Sequence, residues 1–214
     1  ALESHQKAAH ATESKYFDRE ILPVEGRNAE GMNDLVMADE GIRFDASLDK
    51  LAGLKAVTDG GGITAGNASQ ITDGAAAVMV CNDAGLKKIQ ANPRAEIVSI
   101  SVVGDDPVFM LTGPIPASIK ALETANLTID DMDLYEVNEA FAPVPLAWAE
   151  DLKADRSKLN VNGGAMALGH PLGATGAKLM TTLLHEMERR ESTYGLQAIC
   201  EGGGTANATI IKRV

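Results

Sequence analysis

Apolar runs of strand length alternate with longer segments of helical periodicity along most of the chain. The predicted strands are 75–81, 95–104, 134–137, 198–200 and 208–214. The predicted helices are 2–16, 47–55, 82–92, 118–126, a segment ending near 153, and 173–190. This alternation is typical of helices packed on a sheet, so we predict an α/β fold.

Composition supports this fold class and limits the partners. The chain has 214 residues, of which 45% are apolar, enough for a sizeable core in one or two domains. Its 21 glycines and 4% aromatic content favour closely packed helix-on-sheet layers over a β-sandwich. The formal charge of -11 disfavours nucleic acid and anionic membranes as partners. No apolar run approaches the roughly 20 residues of a membrane span.

The cysteines indicate the compartment. Cys81 and Cys200 provide neither a disulfide framework nor the spacing of a metal site, so we expect a soluble, cytoplasmic protein with no bound metal. Cys81 closes the apolar run at 75–81 and is expected to be inert core filling. The chain opens at Ala1 directly in a helical pattern, without a signal peptide. From that opening we expect the sequence to be part of something larger.

Three residues with chemical potential lie at the ends of predicted elements. His170 lies in a run of glycines and small residues, and Pro171 holds its backbone extended. Asn138 follows the strand at 134–137, and Cys200 ends a strand ahead of three glycines. Because ligands of parallel α/β sheets gather at the carboxyl ends of strands, we expect the three residues to converge on one crevice. Taken singly, Asn138 is typical of a helix N-cap and Cys200 of a structural cysteine.

The combination of these residue types indicates acyl chemistry. An imidazole accepts a proton from a thiol or stabilises the thiolate, and a perturbed cysteine acts as a nucleophile or as an acid and base. A positioned asparagine and the N–H groups of glycines hold an oxyanion. The sequence contains no metal-ligand set, no Walker loop and no dinucleotide-binding glycine motif after a strand.

An upstream segment offers a second candidate site. Residues 64–69, Thr-Ala-Gly-Asn-Ala-Ser, combine small residues with a hydroxyl and an amide, which suits a cradle for a polar ligand chain. The alternative is a plain turn with an N-cap. Arg43 likewise has two interpretations, a solvated surface charge or a phosphate contact.

These residues resemble the motifs of the thiolase family. The family's three carboxyl-terminal motifs are matched by Asn-Glu-Ala-Phe at 138–141, Gly-His-Pro at 169–171 and Cys-Glu-Gly-Gly-Gly at 200–204. Residues 64–69 and 73–77 are similar to the family's pantetheine-contacting segment, and 39–43 and 111–114 also match. The resemblance covers essentially the whole chain in order.

The resemblance implies a thiolase-like α/β fold with a mixed five-stranded sheet flanked by helices, the second of two similar halves. Residues 1–60 would be the tail of the amino-terminal half and the connecting region. Residues 61–214 would be the carboxyl-terminal thiolase domain. Family members are commonly dimers or tetramers, so a homo-oligomer is expected.

The resemblance also implies an acyltransferase of fatty acid or lipid metabolism, an acetyl-CoA C-acyltransferase or C-acetyltransferase. Its reaction is the Claisen condensation of acyl-CoAs or the thiolytic cleavage of a 3-ketoacyl-CoA. Coenzyme A and acyl-CoA are then substrates, and no cofactor is permanently bound. His170 would activate the nucleophilic cysteine and help to hold the thioester oxygen. Cys200 would move the proton at the substrate's α-carbon.

The other implied roles are oxyanion binding and substrate contacts. Asn138 would orient a water that shares an oxyanion hole with His170, and the N–H of Gly202 would serve a second hole. The remaining implied contacts are Ala65 and Ser69 to the pantetheine arm, Arg43 near the nucleotide end of CoA, and Met110 and Phe141 around the acyl group.

The sequence departs from the family in its nucleophile. Family members carry the reactive cysteine in an amino-terminal half, and nothing here matches it; Cys81 lies in a predicted core strand and is no substitute. The chain alone is therefore expected to be inactive and to need that half as a partner. Glu201 and residues 205–207 also replace the family's usual residues, which affects the substrate range.

A non-catalytic alternative stays open. A thiolase-like domain that only binds acyl-CoA, or acts in assembly, would resemble the family equally well. Binding alone needs neither a thiol nor an imidazole, so the joint presence of His170, Cys200 and Asn138 favours the enzyme.

Overall fold

The computed structural model describes residues 1–27 and 30–214. Its strands in chain order are β1 (Val24–Arg27), β2 (Asn33–Val36), β3 (Ala95–Gly104), β4 (Leu134–Val137), β5 (Tyr194–Cys200) and β6 (Thr205–Arg213). Its helices are α1 (Leu2–Glu13), α2 (Leu48–Ala52), α3 (Asp83–Ile89), α4 (Pro114–Ala125), α5 (Pro143–Leu152), α6 (Ala165–Leu168) and α7 (Thr175–Arg190). None of the helices in these described ranges is long and apolar enough to cross a membrane.

A mixed sheet in the order β3-β6-β5-β4 forms the centre of the fold. β4 and β5 are parallel, whereas β6 runs antiparallel to both β5 and β3. A single parallel bridge between Tyr135 and Leu159 continues the sheet beyond β4. β1 and β2 form a separate antiparallel pair. The α/β class and the mixed sheet predicted from the sequence are confirmed.

The prediction of a fifth strand at 75–81 is wrong. The structure assigns these residues to no strand, and Val78, Met79 and Val80 are exposed, Met79 to 77%. Cys81 is exposed as well, so it does not fill a core. An apolar run becomes a strand only where a neighbouring strand accepts its backbone hydrogen bonds. β3 lies at the end of the strand order, and residues 75–81 do not pair with it.

Helices cover the sheet and close the core. On one face, Trp148 of α5 is fully buried, stacks edge-on against Tyr135 of β4 and donates its indole N–H to Ser118 of α4 at 2.8 Å. On the other face, Leu183 and Met187 of α7 are buried against β4 and β5. Leu183 and Met187 are four residues apart, so both lie on the face of α7 that packs against the sheet.

Two helices differ from the sequence prediction in their bounds. α4 begins at Pro114, four residues before the predicted start, because proline is favoured in the first helical turn. α2 has only five residues, fewer than the helix predicted at 47–55. Leu48 is 69% exposed, and Leu54, just beyond the end of α2, is 41% exposed. A helix this short offers too little apolar surface to dock against the core.

α1 packs against the loop that precedes His170. Its buried residues are Ser4, His5, Ala8 and Ala11, and the helix contacts α6. The approach is close: a Cβ on Gly163, whose φ is +81°, would lie 2.6 Å from the carbonyl oxygen of Ser4. Glycine is therefore required there both by the backbone conformation and by the contact with α1.

Candidate active site

His170 lies between two hydrogen-bonding side chains. Its Nε2 is 3.3 Å from Nδ2 of Asn138, and its Nδ1 is 2.6 Å from Oγ1 of Thr175. Thr175 donates its own hydroxyl proton to the carbonyl of Pro171 at 3.0 Å. We therefore assign the Nδ1–H tautomer, in which Nδ1 donates to Thr175 and Nε2 accepts from the Asn138 amide. The lone pair on Nε2 of the ring then faces the Asn138 amide.

The local environment keeps the His170 ring neutral. Burial lowers the pKa of His170 below its ordinary value. The backbone N–H of His170 donates to the carbonyl of Gln70 at 3.1 Å, which anchors the residue on the upstream segment. A neutral imidazole with an accessible Nε2 is the form required of a general base.

Asn138 is held at the end of β4 and directed into the site. Its backbone N–H donates to the carbonyl of Ala198 on β5 at 3.0 Å. α5 begins only at Pro143, with Ala142 at the N-cap, so the N-cap interpretation of Asn138 is wrong. Within the described residues, the buried Oδ1 of Asn138 has no hydrogen-bond partner. An oxygen of this kind is suited to accept a hydrogen bond from a water or a ligand.

Cys200 ends β5, two residues beyond the Ala198 carbonyl that Asn138 contacts. It is a free, buried cysteine, and burial, aided by the neighbouring Glu201 carboxylate, raises the pKa of its thiol. In the described part of the chain, no hydrogen bond joins its Sγ to Asn138 or His170. The thiol is thus held protonated at the same edge of the sheet as the Asn138–His170 pair.

A glycine turn follows Cys200, and the loop that carries Met110 packs against this turn. Gly203 and Gly204 have φ values of +79° and +83°, which side-chain-bearing residues rarely adopt. Gly202 is exposed, and a Cβ there would meet no atom within 4 Å. The N–H of Asp105 donates to the carbonyl of Gly204 at 2.7 Å, which brings the loop carrying Met110 against the turn. Met110 itself is half-buried.

The upstream segment lies along the loop that follows Asn138. The N–H of Ser69 donates to the carbonyl of Ala140 at 2.9 Å, and Ala68 forms an antiparallel bridge with Phe141. Ser69 and Phe141 are half-buried, and Ala65 is exposed. The structure therefore brings Ala68 and Ser69 of the upstream segment together with the loop that follows Asn138.

Arg43 lies apart from these groups. It is exposed and lines a shallow cleft with His5 and His10 of α1, and its backbone N–H donates to Nδ1 of His5 at 3.1 Å. No ion pair of the described residues includes its guanidinium. Arg43 is thus available to an anionic group but does not adjoin His170.

Two supporting residues escaped sequence reasoning. Thr175 opens α7 and fixes the ring of His170, yet a threonine at a helix start carries no distinctive signal. Gln70 donates its amide to the carbonyls of Gly41 and Met166, at 2.7 and 2.9 Å. Its partners are 29 and 96 residues away, so no local pattern reveals the contact.

We expect Gly164→Ala to destabilise the fold by about 3 kcal/mol, because it overpacks a buried site and disturbs a buried carboxylate. A Cβ on Gly164 would lie 2.3 Å from Cδ of Glu139, and the surrounding residues are buried. Urea denaturation of the chain measures the change. Gly173→Ala, in the same glycine-rich stretch, is the matched control, since its Cβ meets nothing within 4 Å. Equal losses in the two variants would contradict the prediction.

Metal chemistry gains no support from the described side chains. Across residues 1–27 and 30–214, no group of three or more His, Cys, Asp or Glu residues is arranged to hold a metal ion.

Comparison with known families matches the chain along almost its whole length. The model of the thiolase C-terminal domain matches residues 91–213, and that of the thiolase N-terminal domain matches residues 1–84. The boundary predicted from the sequence at residue 60 stays a prediction.

Relatives and solved structures agree with this match. A steroid 3-ketoacyl-CoA thiolase of Mycobacterium tuberculosis is 53% identical over 214 residues, 100% of this chain and 51% of that protein. An acetyl-CoA acetyltransferase of Synechocystis is 46% identical over 99% of this chain and 53% of its own length. The chain thus spans about half the length of the relatives it matches.

Two solved structures superpose closely on the chain. The Bacillus anthracis acetyl-CoA acetyltransferase has a TM-score of 0.94 at 42% identity, covering 100% of this chain and 54% of that one. Human mitochondrial 3-ketoacyl-CoA thiolase in complex with CoA has a TM-score of 0.90 at 39% identity, covering 100% of this chain and 53% of that one. The chain belongs to the thiolase family.

Proposed function

We propose that the chain supplies the carboxyl-terminal part of a thiolase active site. The complete enzyme would condense acyl-CoA molecules or cleave a 3-ketoacyl-CoA with CoA. The observation that carries this proposal is the neutral His170 between Asn138 and Thr175, at the same sheet edge as the protonated thiol of Cys200. A site that only binds a CoA ester needs neither the ring nor the thiol.

His170 would take the proton of a nucleophilic cysteine. Its Nε2 carries the lone pair, and its lowered pKa keeps that lone pair available at neutral pH. The resulting thiolate attacks the C3 carbonyl of a 3-ketoacyl-CoA, forming a tetrahedral oxyanion. Asn138, whose Oδ1 has no partner in the described residues, would hold a water that donates to an oxyanion.

Cys200 would complete the cleavage. When the C2–C3 bond breaks, its electron pair remains on C2 of the departing acetyl-CoA. The thiol of Cys200 donates its proton to that carbon, and acetyl-CoA leaves. The acyl group stays on the nucleophilic cysteine until the thiol of free CoA gives its proton to the Cys200 thiolate and attacks the thioester carbonyl. The acyl-CoA then leaves, and the released cysteine thiolate recovers the proton held by His170. The raised pKa of Cys200 suits it to the acid role.

Substrate contacts extend the proposal to the remaining predicted residues. Ser69 and Ala65 would contact the pantetheine arm beside Phe141, and Met110 would border the acyl group next to the glycine turn. The N–H of Gly202 would hold the carbonyl of the acyl-enzyme. Two observations support these assignments: the open space around Gly202, and the backbone hydrogen bond from Ser69 to the loop that follows Asn138. Arg43 would meet the nucleotide end of CoA.

The nucleophile must come from outside the described chain. Cys81 is exposed and has no contact with His170 among the described residues. We therefore propose an amino-terminal thiolase half as the obligatory partner, and a homodimer or homotetramer as the assembly. The enzyme would serve fatty acid or lipid metabolism in a cytoplasmic compartment, where Cys81 and Cys200 of this chain stay free.

Reconstitution tests the function. The chain is produced together with the amino-terminal half of the Mycobacterium tuberculosis relative, and CoA-dependent loss of acetoacetyl-CoA is followed, with longer 3-ketoacyl-CoA esters tested in parallel. We expect cleavage by the pair and none by the chain alone. As a control, the same half with its nucleophilic cysteine replaced by alanine should be inactive. If a stable pair binds CoA esters but cleaves none of them, the non-catalytic alternative is correct.

A further inference from the structure

A buried carboxylate lies directly beside Asn138. Glu139 is only 5% exposed, and no ion pair among the described residues includes it. Its Oε2 accepts from the hydroxyl of Ser4 at 2.6 Å and from the backbone N–H of Met166 at 3.2 Å. Its Oε1 accepts from the amide of Asn160 at 3.0 Å. Neutral donors alone therefore hold this negative charge.

The three donors come from separate parts of the chain. Ser4 lies on α1, Met166 in the first turn of α6, and Asn160 in the second half of the loop between α5 and α6. The sequence separations to Glu139 are 135, 27 and 21 residues. The carboxylate is thus the point at which α1 and both ends of the segment 160–166 meet.

Two of the donors to Glu139 also hydrogen-bond to the backbone nearby. Asn160 pairs both backbone groups of Val137, accepting from its N–H and donating to its carbonyl, each at 2.9 Å. The hydroxyl of Ser4 accepts from the N–H of Gly164 at 3.0 Å. The segment 160–166 is therefore fastened to the end of β4 at several points around Glu139.

We infer that Glu139 is a positioning residue for His170. The carboxylate of Glu139 fixes the segment 160–169 and so sets the distance from the His170 ring to Asn138. Asn138 and Glu139 are consecutive in the chain, so one backbone segment orients both the partner of the ring and the segment that leads to it. His170 directly follows Gly169, whose tight contact with Thr72 leaves little freedom on the other side: a Cβ there would lie 2.2 Å from Oγ1 of Thr72. This placement of the ring is independent of which reaction the site performs, and its consequence for catalysis rests on the proposed function.

A carboxylate is needed because all three partners are donors. A glutamine at position 139 has one oxygen and one NH₂ group, so its NH₂ would face at least one N–H or O–H donor. Glu139→Gln thus keeps the shape and replaces one of the two acceptor oxygens by a donor. Ser4→Ala removes one donor and leaves the carboxylate, which provides a second test should Glu139→Gln fold poorly.

The experiment measures two quantities in the 214-residue chain: the pKa of the His170 ring and the exchange rates of the backbone amides of 160–169. Histidine side chains are titrated by NMR, with the His170 signal assigned from its absence in His170→Gln. In Glu139→Gln and Ser4→Ala, we expect the pKa of His170 to rise by about 0.5 unit or more toward its ordinary value, since a displaced ring is better solvated. We also expect the backbone amides of 160–169 to exchange about tenfold faster, from local opening.

Ser118→Ala is the matched control. It also removes a fully buried serine hydroxyl, the acceptor of the Trp148 indole N–H, but on the opposite side of the sheet. It should lower the free energy of unfolding and leave both the His170 titration and the exchange of 160–169 unchanged. Glu139 is merely structural if Glu139→Gln and Ser4→Ala lose stability as Ser118→Ala does, with no change at His170. Failure of the reconstitution assay would leave these measurements unaffected.

Discussion

Cys200→Ala in the reconstituted enzyme is expected to lower kcat about 100- to 10,000-fold, the range typical of losing a general acid or base. KM should change far less, because the thiol is assigned a role in moving a proton rather than in holding substrate. The assay is the CoA-dependent cleavage of acetoacetyl-CoA at saturating concentrations of both substrates.

The physical reason lies in the protonation state of the thiol. Burial, with the adjacent Glu201 carboxylate, raises the pKa of Cys200, so the side chain retains its proton at neutral pH. The departing carbanion needs a proton donor at this point, and alanine has none. Cys200→Ser keeps a donor of a similar size, but with a much less acidic proton, so we expect it to be nearly as inactive.

The other cysteine provides the control for Cys200→Ala. Cys81 is exposed and belongs to no strand of the described structure, so Cys81→Ala should leave kcat within about a factor of two, as expected for a surface substitution. Comparable losses in the two variants would point to damage to the fold rather than to the chemistry. Full activity in Cys200→Ala would exclude the assigned acid role.

Glu136→Gln is expected to stabilise the fold at alkaline pH by as much as about 5 kcal/mol, and to leave it nearly unchanged at pH 4.5 or below. Glu136 lies on β4, two residues before Asn138, and is 2% exposed. Burial raises its pKa from 4.5 to about 8, reinforced by Glu139, Glu20 and Glu186 and opposed only by Lys178. The native carboxyl is therefore protonated at neutral pH.

The direction of the pH dependence follows from this raised value. Below pH 4.5 the carboxyl is protonated in both the folded and the unfolded chain, so it adds no pH dependence to the free energy of unfolding. As the pH rises toward 8, only the unfolded chain releases the proton, so the free energy of unfolding falls over this interval and then levels off. Glu20, whose pKa is raised to about 7 by burial, contributes a smaller fall in the same direction.

The neighbouring strand supports a neutral side chain at this position. Gln197 of β5 is the register partner of Glu136, and the Oε1 of Gln197 and the Oε2 of Glu136 are buried without hydrogen-bond partners in the described residues. A protonated carboxyl or an amide has a proton to donate to Gln197, and a carboxylate has none. Glutamine should therefore replace the protonated form well.

Urea denaturation at pH 5 and pH 9 measures the effect of Glu136→Gln. The wild-type chain should lose stability between the two, and the variant should lose much less. Glu123→Gln, on the exposed surface of α4, controls for the change in net charge. Parallel losses in Glu136→Gln and in the wild type would show that Glu136 is not the group responsible.

The local sequence carries enough signal to single out the candidate reacting groups. His170, Asn138 and Cys200 were found because each adjoins glycine, proline or a strand end, where the backbone conformation is readable from residue type. β4 was predicted correctly even though its Leu-Tyr-Glu-Val run includes a charged residue. The length of the run and its three apolar residues are sufficient for the prediction. The failure at 75–81 has the opposite cause: the run has strand character, but pairing depends on a partner strand.

The sequence by itself determined the α/β class, the order of most helices and strands, the family resemblance and the three candidate catalytic residues. Only the tertiary structure decided the strand order, the contact of Asn138 with His170, the role of Thr175 and the burial of Glu136 and Glu139. Local propensity and motif spacing are properties of neighbouring residues, so they can be read along the chain. Hydrogen bonds across as many as 160 residues, and the pKa shifts that burial imposes, exist only once distant segments have packed together.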